Sequence, residues 1–334
     1  MKKEWLIKTL TMGIVVLFIG TGVVSAFNIN SVNKSKPVSN GNWFYVGGSG
    51  PGNYSNIQDA IDNATDGDTV FVYDDSSPYF EIITTDKSIT MQGENMTTTI
   101  IGQDPWGEDD YVTISSDYVT IAGFTFNGSK SGGIWCEDVS NIIIEHCVFY
   151  SNAWGIALRG KVENTIIQNC SFLSSHVSGI QFSGFKIKNN EVSYCDFIDN
   201  GDEDMDFFSG TGAIHIWPAQ SLKIHHCNIV NNWRGIVLQG LIIKNVDISF
   251  NNIFNNYNNW DHVGVFFKTY PLLNYARHNW WGTPQGPNIY MGDKIIRDVD
   301  GNETILFNRI GLFVGFFHIF PWLSEPVADA GQQT

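Results

Sequence analysis

Short runs in which apolar and polar residues alternate recur along this chain at intervals of about two dozen residues. The runs align on one central column, which consists of Phe124, Cys147, Cys170, Cys195, Cys227, Asn251 and Asn279. Successive members of the column are 23, 23, 25, 32, 24 and 28 residues apart. Alternation with a period of two is the pattern of a β-strand, so each run predicts a short strand.

A second set of runs keeps step with the first. Its members begin at Gly133, Gly155, Gly179, Ala213, Gly235 and Gly264, and each first residue is followed by Ile or Val. Two columns with one period, without a leucine-rich or helical pattern, are typical of stacked coils. We therefore predict an all-β fold, a right-handed single-stranded parallel β-helix (a solenoid) with an N-terminal capping helix.

Stacking such coils at the inter-strand spacing of about 4.8 Å places like residues above like. We expect Phe149, Phe172 and Phe197 to form an aromatic column inside. The Cys/Asn column is expected at a bend, where Asn takes a left-handed conformation readily. The glycine column is expected at another bend, where a positive φ is needed.

Four of the five cysteines belong to one column, namely Cys147, Cys170, Cys195 and Cys227. Stacked side chains one rung apart keep their Cβ atoms near 4.8 Å, beyond the roughly 3.5–4.5 Å of a disulfide. We therefore expect buried thiols that act as small apolar residues. One bridge between neighbours and a metal ion on stacked thiolates remain alternatives.

The N-terminus has the pattern of a secretory signal peptide. Lys2, Lys3 and Lys8 precede the apolar stretch from Leu10 to Val24, and small residues follow up to Ala26. The stretch is shorter than the roughly 20 residues that span a bilayer, which favours cleavage over an uncleaved membrane anchor. This predicts a secreted or cell-surface protein, attached to a membrane only if the signal segment is retained.

The remaining boundaries follow from composition and spacing. We expect a signal peptide at 1–26, a linker at 27–42, a β-helix domain at 43–323, and at 324–334 a linker or the truncated start of another module. Ile57, Ala60, Ile61 and Ala64 have helical spacing after Ser55, a plausible N-cap. A helix there would cover the open first coil.

Charge excludes some partners. The chain has 19 Lys and Arg residues against 34 Asp and Glu, a net charge of −15. Such a chain repels the phosphate backbone, so we expect no nucleic-acid partner. Seven N-x-S/T sequences, at Asn33, Asn53, Asn63, Asn95, Asn127, Asn169 and Asn302, would permit glycosylation outside the cell.

Two segments resemble a known family. The run from Ile57 to Ile61 followed by Gly67-Asp68-Thr69-Val70, and the later run Asn279-Trp280-Trp281-Gly282, are similar to pectate-lyase-like β-helix surface proteins. These include the NosD-like group and archaeal surface β-helix repeat proteins. The resemblance covers about residues 43–323 and implies the fold, which hosts lyases, hydrolases, epimerases and non-catalytic adhesins. Residues 326–331 resemble the opening strand of a PKD-type module.

The coil between Cys195 and Cys227 holds the largest insertion and the densest candidate chemistry. The candidate catalytic residues are Asp202, Asp204, Asp206, His215 and Arg234, and the candidate sugar-stacking residues are Trp217, Trp233 and Trp260. Resemblance to polysaccharide lyases would imply Ca²⁺ held by Asp202, Glu203, Asp204 and Asp206, with an arginine as base. The alternative is a solvated acidic loop, and no cofactor is required by the sequence.

His226 and Cys227, with His146, form a second constellation. The NosD-like resemblance would make copper relevant there. However, neighbouring strand residues point to opposite faces, so His226 and Cys227 should not share one ion.

Three functions are therefore expected, in decreasing order. The first is a non-catalytic extracellular β-helix that binds a cell-surface or extracellular polysaccharide, or has a structural role. The second is a polysaccharide lyase or glycoside hydrolase that uses the face around Asp202–Trp217. The third is a NosD-like copper-handling factor.

Overall fold

The computed structural model describes residues 41–107, 109–202, 211–240, 243–257, 263–267, 274–287, 295–296, 313–314, 317–318 and 321–333. The elements, in chain order, are β1 (Trp43–Val46), α1 (Ile57–Asn63), β2 (Thr69–Val72), β3 (Ile83–Thr85), β4 (Thr90–Gly93), β5 (Ile100–Gly107), β6 (Val112–Ile114), β7 (Thr120–Ala122), β8 (Thr125–Ser129), β9 (Gly132–Glu137), β10 (Ile143–Glu145), β11 (Val148–Tyr150), β12 (Trp154–Glu163), β13 (Ile166–Gln168), β14 (Ser171–Leu173), β15 (Ser178–Ser193), β16 (Asp196–Ile198), β17 (Gly212–Trp217), β18 (Ala219–His225), β19 (Asn228–Val230), β20 (Ile236–Leu238), β21 (Ile243–Ser249), β22 (Asn252–Phe254), β23 (Val265–Phe267), β24 (Asn274–Tyr275), β25 (Ile295–Ile296), β26 (Phe313–Val314) and β27 (Phe317–His318).

The strands stack into three parallel ladders, because each coil contributes one strand to each ladder. The first ladder runs β1-β2-β4-β7-β10-β13-β15-β18-β21-β24. The second runs β5-β8-β11-β14-β16-β19-β22. The third runs β3-β6-β9-β12-β15-β17-β20-β23. The predicted parallel β-solenoid is confirmed, and β15 belongs to two ladders because it continues around a bend.

Aromatic side chains fill the interior behind the second ladder. Phe149 lies between Phe126 and Phe172, with ring centroids at 5.0 and 4.8 Å. Phe197 continues the stack at 4.7 Å from Phe172, with an interplanar angle of 4°. All of these rings are fully buried, so the solenoid interior is a continuous apolar core.

The left-handed residues at the bend between the first and second ladders lie one position earlier than expected. They are Gly123, His146, Asn169, Tyr194, His226, Phe250 and His278, all with positive φ. The expected left-handed residues, those of the Cys/Asn column, come directly after them, point inward and are buried. The chain turns at the residue before the column so that the next side chain can enter the core.

The glycine column has a different cause from the one expected. Gly133, Gly155 and Gly179 do not have a positive φ. A Cβ at Gly133 would lie 2.9 Å from both the carbonyl oxygen of Gly155 and the ring of Phe149. Glycine is therefore required by the close approach of the aromatic column and the next rung, and not by backbone conformation.

Asparagine side chains satisfy buried backbone groups at the bends. Asn232 donates to the carbonyl oxygen of Phe197 at 3.0 Å and accepts from the backbone N–H of Asn200 at 2.9 Å. Asn251, in the Cys/Asn column, likewise accepts from the N–H of Cys227 at 2.9 Å. Each amide thus replaces hydrogen bonds that the ladders cannot make where the chain turns.

All five cysteine thiols are free and buried. Cys170, Cys195 and Cys227 each direct the sulfur toward backbone carbonyl oxygens of their own and the preceding coil. Burial raises the pKa of these three thiols well above the ordinary value. They are therefore protonated, apolar members of the core.

Helix α1 covers the first coil with Ile57, Ala60 and Ile61 buried against it. The N-cap is Asn56, not the expected Ser55, and its side chain makes no capping hydrogen bond. Instead, the Glu81 carboxylate accepts from the backbone N–H groups of Ile57 and Gln58, at 2.9 and 3.1 Å. A carboxylate at the N-terminal end of a helix also interacts favourably with the positive end of the helix dipole.

Within the described ranges, none of the helices has the length and apolar character needed to cross a membrane.

Candidate functional site

The outer surface of the third ladder carries polar and aromatic side chains in two adjacent columns. The first column is Trp135, Ala157, Gln181, His215, Val237 and Phe266, and the second is Glu137, Arg159, Ser183 and Trp217. We call this surface the third-ladder face. Both columns point outward because the intervening residues, such as Ile156 and Leu158, point into the core.

Arg159 is the central cation of the third-ladder face. Its guanidinium carbon lies 4.8 Å from the ring centroid of Trp135, and 5.9 Å from that of Trp154. Stacking of this kind on an indole face is a cation–π contact. One N–H of the guanidinium also donates to the Ser183 hydroxyl at 3.0 Å.

The charge of Arg159 is only partly compensated. Burial lowers the pKa of Arg159, while the negative charges of Asp110 and Glu137 act in the opposite direction. Among the described residues, neither carboxylate forms an ion pair with the guanidinium, whose buried Nε has no hydrogen-bond partner. Asp110 is instead engaged by the Ser131 hydroxyl at 2.7 Å and a backbone N–H.

Gln181 and His215 form the buried centre of the first column. The Gln181 amide nitrogen lies 3.3 Å from His215 Nδ1, and the two side chains are 9% and 4% exposed. Buried polar side chains on an outward strand position need a defined set of partners. The amide oxygen of Gln181 has none among the described residues.

Trp217 is the exposed aromatic residue of the second column, with 48% of its surface accessible. It lies two rungs from Arg159, which corresponds to about 10 Å at the spacing of adjacent strands. Gly240 makes room for the indole, since a Cβ there would collide with the Trp217 ring. Trp217 thus presents a large apolar surface on the same side of the solenoid as the cation.

The structure separates the other predicted catalytic residues. Asp202 lies at the bend before β17, where its carboxylate is 3.1 Å from His176 Nδ1, whereas His215 lies three residues into that strand. Three residues of strand correspond to about 10 Å. Arg234 donates to the Thr211 hydroxyl at 3.2 Å and lies near the Phe266 ring.

Trp233 lies at the bend, where its backbone N–H donates to Asn200, so it does not join the two columns. The expected residues Glu203, Asp204, Asp206 and Trp260 lie outside the described residues. Of the proposed calcium ligands, Asp202 alone is therefore described. In the described part of the chain, no group of three or more His, Cys, Asp or Glu residues could hold a metal ion.

His226 and Cys227 point to opposite sides, as expected, but they lie at the left-handed bend between β18 and β19 and not in a strand. Cys227 is buried inside, while His226 lies outside, stacked on the ring of Phe250 at 5.5 Å. His225 Nδ1 and His226 Nδ1 are 2.9 Å apart, and His225 Nε2 lies 3.3 Å from a Glu191 carboxylate oxygen. The two imidazoles are therefore joined by a hydrogen bond, in which one ring nitrogen donates and the other accepts. Cys227 takes no part in it.

Sequence reasoning missed the role of Arg159 and its two tryptophans. The signal was present, because the aligned glycine runs place Trp135 and Ala157 in one column and Arg159 in the next. What the alignment could not supply was the conformation of a long side chain, which decides that the guanidinium lies over the ring of Trp135.

Comparison with known proteins agrees with this architecture. Residues 106–242 match the family described as a right handed beta helix region. The match agrees with the right-handed parallel β-helix that the stacked ladders form.

Several solved structures of low sequence identity are similar to part of this chain. A Geobacillus virus E2 protein, ORF18, is 14% identical over 67% of this chain and 53% of its own, with a TM-score of 0.42. A pectin methylesterase from Aspergillus niger is 16% identical over 72% of this chain and 85% of its own, with a TM-score of 0.44. An alginate lyase is 12% identical over 66% of this chain and 37% of its own, with a TM-score of 0.36.

This chain thus spans about half the length of the viral protein and a smaller share of the lyase. The search of curated proteins found no match.

Proposed function

We propose that this protein is an extracellular β-helix that binds an acidic polysaccharide along the third-ladder face without cleaving it. The observation that carries the proposal is Arg159, a half-buried guanidinium that rests on Trp135 and forms no ion pair among the described residues. A desolvated arginine of this kind gains most from a ligand carboxylate or sulfate, which it can bind with two parallel hydrogen bonds.

The surrounding side chains favour a sugar polymer as the source of that anion. Trp217 offers an exposed indole about two rungs away, and Ser183 supplies a hydroxyl between the two. Aromatic faces with polar groups beside them match the alternating apolar and hydroxylated surfaces of a sugar. A polymer can contact both Arg159 and Trp217, whereas a single small anion reaches only the arginine.

The acidic character of the chain favours a specific site over general attraction. With a net charge of −15, the protein as a whole repels a polyanion. Binding would therefore depend on a few local contacts and not on the summed attraction of many surface cations. The signal-like N-terminus supports an extracellular setting for this encounter.

Direct binding measurements test the proposal. Polygalacturonate and alginate, which carry a carboxylate on each residue, should bind the full chain, while neutral dextran should bind at least about tenfold more weakly. Trp217→Ala should reduce polyuronate affinity by about fivefold or more, since it removes a stacking surface. Tyr150→Ala is the matched control, because Tyr150 is also 48% exposed but lies on the second ladder.

A reducing-end assay and the absorbance of unsaturated uronates should remain at background during long incubation with Ca²⁺. Steady release of new reducing ends from the polysaccharide by the wild type would identify the lyase or hydrolase alternative instead. Equal binding of dextran and polygalacturonate would contradict the acidic ligand. Metal analysis of the purified protein addresses the copper alternative, for which co-purified copper is the supporting result.

A further inference from the structure

The C-terminal segment, residues 325–333, crosses the outer surface of the second ladder. It makes hydrogen bonds with successive coils rather than pairing with the edge of one strand. The Asn252 amide accepts from the N–H of Val327 at 2.7 Å and donates to its carbonyl oxygen at 3.0 Å. The Asn252 side chain thereby binds both backbone polar groups of Val327.

The contacts continue toward earlier coils. Asn228 donates to the carbonyl oxygen of Ala330 at 3.2 Å, and the N–H of Gly331 donates to the carbonyl oxygen of His226 at 2.8 Å. The N–H of Gln332 donates to the Asp196 carboxylate at 3.2 Å. The segment therefore runs along the solenoid axis, from the rung of Asn252 to that of Asp196.

The last residues reach one coil further. The Gln332 side chain accepts from the Ser171 hydroxyl at 2.8 Å and donates to the carbonyl oxygen of Asn169 at 2.8 Å. The rungs of Asn252 and Ser171 are three spacings apart, which is about 14 Å. The six residues from Val327 to Gln332 cover that length with a turn, in which the N–H of Ala330 donates to the carbonyl oxygen of Val327 at 3.4 Å, and with the long side chain of Gln332 reaching the last rung.

Gly331 fits the surface most closely. It is buried, it has a φ of +93°, and a Cβ there would collide with the Asn228 amide and the Asp196 carboxylate. Val327 and Ala330 are half-buried beside it, whereas Ala328 and Asp329 are exposed. The surface thus accepts an apolar residue, then a glycine four positions later, then a glutamine.

We propose that the outer surface of the second ladder, from Asn252 to Asn169, is a binding groove for a short peptide that forms a turn, and that the C-terminal segment occupies it in cis. Most of the contacts go to the backbone of the segment, through the side chains of Asn252, Asn228 and Asp196. Because the contacts are mainly to the backbone, the groove makes modest demands on the sequence of the peptide, and the glycine position sets the register.

Occupation in cis has a measurable consequence. A tethered segment acts at an effective concentration on the order of millimolar, so it excludes a free peptide of the same sequence. Release of the segment should open the groove to that peptide. The partner class is therefore a short turn-forming peptide with an apolar residue, a glycine and a glutamine at the spacing of Val327, Gly331 and Gln332.

The experiment uses the full chain and a labelled synthetic peptide with the sequence of residues 325–333. Gly331→Val should displace the segment, because its side chain cannot fit between Asn228 and Asp196, while every coil is left intact. Hydrogen exchange at residues 327–332 should then become at least about tenfold faster. Ala328→Val is the control, since that residue is exposed on the same segment and should retain wild-type protection.

The labelled peptide should bind the Gly331→Val protein at least about tenfold more tightly than wild type, which holds its own segment. Adding Asn252→Ala and Asn228→Ala should abolish this binding, with the far-ultraviolet spectrum as a check on folding. Persistent protection in Gly331→Val, or equal peptide binding by all variants, would overturn the proposal. Dimers of the wild type that free peptide dissociates would place the segment of a second copy in the groove and overturn the cis assignment.

Discussion

The guanidinium of Arg159 rests on the ring of Trp135, one rung earlier in the third ladder, at 4.8 Å from its centroid. The contact joins a long polar side chain of one coil to an aromatic side chain of the preceding coil. It exists because the coils are in register, with Arg159 opposite Glu137 and Ala157 opposite Trp135. The indole beneath it helps to screen the guanidinium from water.

Removal of the guanidinium should weaken binding of polyuronate fragments. Arg159→Gln should lower the affinity by about 10- to 100-fold, the range expected for loss of a charge-assisted hydrogen bond of about 1.5–3 kcal/mol. Arg159→Lys should recover only part of this, because an ammonium cannot form two parallel bonds. Isothermal titration calorimetry at two salt concentrations measures both effects.

Lys161→Gln is the control for charge alone. Lys161 lies two residues further along β12, where it forms an ion pair with Glu163 at 3.3 Å. We expect less than about a twofold change in affinity, as for an exposed ion pair. An equal loss in the two variants would mean that net charge, and not the stacked guanidinium, governs binding.

The aromatic column should contribute strongly to stability. Phe149→Ala should lower the free energy of unfolding by about 3–5 kcal/mol, since it removes a buried ring that contacts two others. Tyr150→Ala, at the next residue of the same strand, should change it by no more than about 0.5 kcal/mol because the side chain points outward. Urea unfolding followed by fluorescence measures the free energy of unfolding of both variants. Similar losses of stability in the two would argue against a stacked interior.

The buried thiols should make the protein less stable in alkaline solution. Burial raises the pKa of Cys136, Cys170, Cys195 and Cys227 in the folded state. Above the unfolded value of about 8.5, the unfolded chain loses thiol protons that the native chain keeps. The free energy of unfolding should therefore fall between about pH 8 and pH 10.

Urea midpoints across that range measure the fall, and Cys170→Ala should make it shallower than in wild type. Ellman's reagent should react with no thiol in native conditions and with all five in denaturant, since all are free and buried. Rapid reaction of a native thiol would contradict the burial, and fewer than five in denaturant would indicate a disulfide.

His226 should reduce stability in mildly acidic solution. Burial, with the neighbouring charge of His225, lowers the pKa of His226 in the folded state. As the pH falls through the unfolded value of about 6.5, the unfolded chain binds a proton that the native chain resists, so stability decreases. His226→Phe should keep the stack with Phe250 and lessen the decrease between about pH 7.5 and pH 5.5.

His146→Phe provides the comparison, because His146 occupies the same left-handed position in an earlier coil and is exposed. It should leave the pH profile of the urea midpoint close to that of wild type. If His146→Phe changed the pH profile of the urea midpoint more than His226→Phe did, the acid sensitivity would not come from His226.

The period of the sequence was sufficient to predict the coils and the arrangement of their ladders. Runs of alternating residues that return every 23 to 32 positions cannot bury their apolar sides alone, so they must stack. The column of Phe149, Phe172 and Phe197 followed from the same reasoning, since vertical alignment of equal positions is a property of the backbone. The parallel register observed at these residues is the one that the aligned runs predict.

Details that depend on distances between coils were not predicted. The glycine column was assigned to backbone conformation, whereas Gly133 is required by the nearness of Phe149 and the next rung. The left-handed residue was placed in the Cys/Asn column, whereas it is the residue before, such as His146. Both errors concern where a side chain points at a bend, which alternation along a strand does not specify.

The sequence by itself determined a stack of parallel coils, because regular spacing of apolar residues admits no other way to bury them together. Tertiary structure alone decided that Arg159 lies on Trp135 and that Gly331 lies between Asn228 and Asp196. The first contact depends on side-chain rotation across neighbouring rungs. The second joins Gly331 to residues 103 and 135 positions earlier in the sequence, through a segment with no repeat, and only the folded surface brings them together.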